Sequence, residues 1–197
     1  MATETREIRF TKHVEIRVHT EGGQQKITGY AAVFDSLSED LGNFRETIKP
    51  GTFKRALAEN QDVRGLVDHD SSKIIGRTAA GTMALTEDDK GLQYEIDVAD
   101  TTAGRDIVES IKRGDVSGSS FAFTVVADNW RTEDGQEIRE LTDVDLFDVG
   151  PVAFPAYPAT VTAASFRSLR NHLKPNLERF RTRLDTAKRY VVVSKDK

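Results

Sequence analysis

Two long stretches of alternating residues constrain this chain more than any other feature. They run from Val116 to Ala127 and from Ile138 to Val149, with Asp134-Gly135 between them. Asp-Gly between alternating runs is a strong hairpin signal. Alternation sets Phe121, Phe123 and Val125 on one face and Ser120, Ala122 and Thr124 on the other. A hairpin with one apolar face must bury that face against other elements. Ile8/Phe10 and Val14/Ile16/Val18 read as strand between Glu7 and Val18. After a turn at Glu21-Gly22-Gly23 they form an N-terminal hairpin with Lys26 to Phe34. Further strands are read at Val63 to His69, Ile74 to Thr78, Thr82 to Thr86 and Leu92 to Ala99. Asp35 to Pro50 reads as polar and irregular. Phe53, Ala56 and Leu57 mark a short helix within Gly51 to Asn60. Thr101-Thr102 caps a second helix to Arg113, with Ile107, Val108 and Ile111 inward and Gly114 at its end. The chain is expected to be mainly β with helices, an α+β fold of sheet or barrel covered by helices.

At 197 residues the chain fits one domain, residues 1–166, followed by a tail, 167–197. A net charge of −4 hides an asymmetry: the tail carries +7 and the rest −11. In the tail Leu177, Phe180, Leu184, Ala187 and Val191 repeat at helical spacing. Such a basic helix suits an acidic partner or folds back on its own acidic body. One helix with Phe180 and Tyr190 as its aromatics is a weak nucleic-acid signal, so no nucleic acid is expected. Cysteine is absent, which excludes disulfides, Cys-zinc sites and Cys nucleophiles. No apolar run approaches the ~20 residues of a membrane span, and no signal peptide is expected.

Without Cys, the candidate nucleophiles are Ser, Thr, Lys or a carboxylate. His13, His19, His69 and His172 are the candidate bases. His69 stands apart, because it ends an apolar strand between Asp68 and Asp70. Neighbouring carboxylates favour its taking a proton. A surface His in an acidic loop is the plain alternative, and an Asp68-His69-Asp70 metal site is a weaker one. Ser120 enters a strand beside small residues and an aromatic anchor, as an accessible nucleophile would. A Ser-Gly turn gives the same pattern. Asp143, Asp145 and Asp148 lie in an apolar frame on the second hairpin strand. If the hairpin folds about Asp134-Gly135, residues 120 and 148 fall near one another, and the acid can orient His69 in a Ser-His-acid arrangement. An exposed acidic edge is the simpler explanation.

In order, the chain carries Ile27-Thr28-Gly29-Tyr30-Ala31-Ala32-Val33-Phe34, Pro50-Gly51-Thr52-Phe53 and Val67-Asp68-His69. Then come Ser117-Gly118-Ser119-Ser120-Phe121-Ala122-Phe123 and Asp145-Leu146-Phe147-Asp148-Val149, with Phe154-Pro155-Ala156-Tyr157-Pro158 last. Over about residues 25–165 this series resembles the tailed-phage prohead serine proteases. The resemblance implies a herpesvirus assemblin-like β-barrel wrapped by helices. It implies a serine endopeptidase that cleaves scaffold, the scaffold-like segment of the major capsid protein and itself, inside the procapsid in the host cytoplasm. It places the catalytic His at His69 and the nucleophile at Ser120, with Ser119 as the fallback. The third member ranks as Asp148, then Asp145, then Asp143. The family usually has Glu-Val-Ser where this chain has Asp148-Val149-Gly150, so the shorter acid needs a closer strand or a bridging water. Pro151 has no N–H, so this strand does not identify the donors of an oxyanion hole. No metal or organic cofactor is required. A homo-oligomer is compatible with the resemblance. A non-enzymatic procapsid component with the same barrel is the alternative function.

Overall fold

The computed structural model describes residues 6–11, 14–153, 165, 168–175, 178 and 181. The chain divides into two units, Met1–Thr160 and Val161–Lys197. The tail residues Leu177, Phe180, Leu184, Ala187 and Val191 lie outside the described residues, as do His13 and residues 154–158.

The first unit is mainly sheet. Its strands are β1 (Glu7–Thr11), β2 (Arg17–Glu21), β3 (Gln24–Val33), β4 (Phe44–Ile48), β5 (Arg64–Val67), β6 (Asp70–Arg77), β7 (Met83–Glu87), β8 (Gly91–Asp97), β9 (Gly118–Glu133) and β10 (Gln136–Val152). Helix α1 is Lys54–Ala58 and α2 is Thr102–Arg113. One sheet runs β1-β9-β10-β5-β6, with β4 also paired to β10; the other runs β2-β3-β8-β7. Their apolar faces share one core. Ile27, Leu92, Tyr94 and Ile96 from the second sheet join Phe121, Phe123, Val144, Leu146 and Val149 from the first. The Phe121 and Phe123 rings stack at 4.8 Å, and Phe53, just before α1, meets Phe121 edge-on. Ile107, Val108 and Ile111 of α2 complete the core. Thr101 Oγ1 accepts the Gly104 N–H at 3.1 Å, and Gly114 ends α2 with φ 81°.

The long hairpin turns at Asp134-Gly135 and pairs Gln136 with Glu133, as the sequence predicts. The N-terminus differs from the expected hairpin. Residues 17–21 pair with β3, but Ile8 and Phe10 belong to β1, which crosses to the other sheet and lies antiparallel on β9. Glu7 and Arg9 alternate with those apolar residues, and both are buried. Their charges find partners on the first sheet. Arg9 Nε donates to Glu46 Oε1 at 2.7 Å, and Arg139 Nη1 donates to Glu7 Oε2 at 3.1 Å. The same network corrects the reading of Asp35 to Pro50 as irregular. Within it β4 pairs in parallel with β10 and carries the buried Glu46. A buried carboxylate needs such partners. Burial opposes the charge on Arg9, but Glu46 and Glu7 outweigh it and hold the guanidinium's pKa above its ordinary value.

Candidate active site

Ser120 and Asp148 reach one face through an irregularity in the hairpin. With the register set at the turn, an unbroken ladder would place Asp148 opposite Phe121, on the core face. Register shifts occur between Leu141 and Asp143, Asp143 and Val144, and Leu146 and Asp148. Their net effect is one extra residue on β10. Asp148 therefore pairs with Ala122, and Gly150 with Ser120. Val149 turns inward and Asp148 joins Ser120 on the opposite face. Bulges near active sites commonly re-aim a side chain in this way.

His69 comes from the β5–β6 connection. Val67 pairs with Asp70, leaving Asp68 and His69 as a two-residue turn. Their φ angles are 52° and 57°, the positive values that type I′ hairpins require at both central positions. Asp and His tolerate this region better than most residues. Asp68 fixes the turn against the end of β10. Its N–H donates to the Pro151 carbonyl at 3.1 Å, and its Oδ1 accepts the Ala153 N–H at 2.8 Å.

The result is a continuous line of three side chains. His69 Nδ1 lies 2.5 Å from Asp148 Oδ1, and Nε2 lies 2.6 Å from Ser120 Oγ. Asp148 reaches the imidazole directly, without the bridging water that its shorter side chain left open. All three side chains are largely buried, and Ser120 is 2% exposed. With Nδ1–H donated to the carboxylate, Nε2 is free to accept the serine proton.

The other candidates go elsewhere. Ser119 faces the opposite side of β9, where its hydroxyl lies 2.8 Å from the Tyr94 hydroxyl. Burial pushes the Tyr94 phenol up, so it stays neutral. Asp143 and Asp145 are both engaged by Arg55, at 2.9 and 2.6 Å. His19 is exposed on β2, and His172 lies in the second unit. Asp70 accepts from Ser72, and Asp68 from Ala153, so the Asp68-His69-Asp70 carboxylates diverge. Among the described residues no group of three or more His, Asp or Glu is placed to hold a metal ion. The Asp68 and Pro151 anchors of the turn were not assigned from sequence, although both flank motif residues.

Gly150 sets the distance between β10 and β5. A Cβ there would lie 2.0 Å from the Leu66 carbonyl oxygen. Gly150→Ala is expected to push β5 outward and carry His69 away from Ser120. We predict a loss of about 1–3 kcal/mol in stability, read by urea denaturation, with a larger proportional loss of activity.

The β-rich fold is similar to that of the bacteriophage T4 capsid assembly protease. That similarity has a TM-score of 0.50 at 13% identity, over 76% of this chain and 99% of that one. No curated protein matches the chain significantly. The fold is thus that of a phage capsid protease. The chain itself belongs to the caudovirus prohead serine protease family, whose sequence profile matches residues 12–175. Its class is therefore serine protease and its setting the phage prohead. Among the described residues no helix is long and apolar enough to cross a membrane.

Proposed function

We propose that this chain is the endopeptidase of procapsid maturation, with Ser120 as nucleophile, His69 as general base and Asp148 as the orienting acid. Its substrates are scaffold, the scaffold-like segment of the major capsid protein, and the chain itself. It acts inside the procapsid, in the host cytoplasm. The observation that carries this reading is His69 bridging Ser120 and Asp148 through its two ring nitrogens.

In the mechanism Ser120 Oγ attacks a peptide carbonyl while His69 Nε2 takes its proton. The new C–O bond leaves an oxyanion. As the C–N bond breaks, His69 returns the proton to the departing amine, leaving an acyl-enzyme. Water, deprotonated by the same nitrogen, then hydrolyses the ester. Asp148 holds the imidazole in the tautomer whose Nε2 is bare and steadies the imidazolium between steps.

The experiment is co-expression with the capsid protein and scaffold, comparing the unaltered chain with Ser120→Ala. New N-termini mapped by mass spectrometry are expected only with the unaltered chain. Identical termini in both would remove Ser120 from the mechanism. Loss of residues 167–197 from the unaltered chain alone would mark self-cleavage.

A further inference from the structure

The nucleophile is buried, and what covers it is a strand. β1 is the edge strand of its sheet, antiparallel to β9, with Arg9 opposite Phe121 and Phe10 opposite Ser120. Ser120 Oγ lies 2.8 Å from the Arg9 carbonyl oxygen, which accepts its hydroxyl proton. That one proton faces two acceptors, His69 Nε2 on the β10 side and the Arg9 carbonyl on the β1 side. A substrate carbonyl must approach Oγ from the side His69 leaves open, and β1 already delivers a peptide carbonyl there.

The side chains of β1 sit as a bound peptide's would. Phe10 is on the Ser120 face, its ring over Gly118, where a Cβ would meet it at 2.3 Å. Arg9 points to the other face and reaches the buried Glu46 through two nitrogens, at 2.7 and 3.0 Å. The residues matched by the family profile begin after β1. Departure of β1 would take away one of the two cations that Glu46 engages. Arg9 leaves paired with Glu7, and Glu46 keeps Arg139 at 3.3 Å. Glu46, which is buried, loses the two bonds it accepts from Arg9, so the emptied site presents a carboxylate short of a cation. That balance favours an incoming cation.

We propose that the β9 edge under β1 is the substrate-binding site. An extended peptide docks there antiparallel in place of β1, and Glu46 selects a basic side chain just before the scissile bond. β1 is the resting occupant. This rests on the assignment of Ser120 as nucleophile, and the test separates the two.

The test is the rate at which a fluorophosphonate labels Ser120 in the full chain. Arg9→Glu sets a carboxylate against Glu46 and should expel β1, raising that rate at least tenfold. The peptide Arg-Glu-Ile-Arg-Phe-Thr, a copy of residues 6–11, should then slow labelling of this variant; the same peptide with the Arg9→Glu change should not. In the opposite direction, Thr11→Cys with Ser119→Cys uses a paired position of the ladder to lock β1 by a disulfide. Labelling should be slow when it is oxidised and recover on reduction. The locked pair carries the test if Arg9→Glu does not fold. Equal rates in expelled, native and locked forms would overturn the proposal while leaving Ser120 as nucleophile. Equal protection by both peptides would overturn the role of Glu46. No labelling of any form would overturn both assignments.

Discussion

Ser120→Ala, His69→Ala and the double variant are expected to fall to one common floor of peptide cleavage. Each should lower kcat by about 10⁴- to 10⁶-fold, and the double variant should be no slower than either single one. The reason is that in the proposed mechanism the two side chains act as one device. Without His69, the Ser120 proton has no base to receive it; without Ser120, the imidazole has nothing to activate. Their stabilities should separate where their activities do not. Ser120→Ala removes a hydroxyl from two acceptors and should cost about 1 kcal/mol. His69→Ala strips the buried Asp148 of its partner and should cost about 1–3 kcal/mol. Steady-state kinetics on a capsid-protein peptide, with urea melts of the same preparations, read both. Additive losses in the double variant would mean that Ser120 and His69 do not work together.

Asp148→Asn is expected to lower kcat about 10⁴-fold with little change in fold. The Asn amide can donate to Nδ1, which forces the ring proton onto Nε2. Nε2 then donates to Ser120 and cannot accept from it. Asp145→Asn is the informative comparison, since Asp145 was the next candidate. Its carboxylate serves Arg55 and Gln61, so kcat should stay within about twofold. Stability should change instead. Burial raises the Asp145 pKa, but hydrogen bonds from Arg55 and Gln61 outweigh it and hold it below the ordinary carboxylate value. Its contribution is therefore present above about pH 4 and lost as pH falls through the lowered value. The stability gap between Asp145→Asn and the unaltered chain should close in strong acid. If Asp145→Asn lost activity as Asp148→Asn does, the orienting role would not belong to Asp148 alone.

Glu46 and Asp148 show where a linear reading stops. Both are acidic residues in stretches with some apolar character. Glu46 lay in a segment that reads as polar loop, because a strand is recognised by the surfaces it buries and this one buries a charge. Its partners Arg9 and Arg139 are distant in the chain. Asp148 was singled out, but hairpin counting alone gives it the wrong face. Whether a bulge intervenes depends on how Val144, Leu146 and Val149 pack, and no local pattern counts that.

Local physics was legible. Period-two alternation, an Asp-Gly turn, a threonine cap and a glycine helix end each act within a few residues, so the β9–β10 hairpin and α2 could be read directly. His69 and Ser120 were legible as candidates too, as residue types in motif order. Tertiary structure alone brought them together. It turned Asp68-His69 in positive φ over the end of β10, re-phased Asp148 by one residue, and sent β1 to the opposite sheet to satisfy Glu7 and Arg9. Those choices depend on contacts between remote segments, whose energies appear only when the chain is closed.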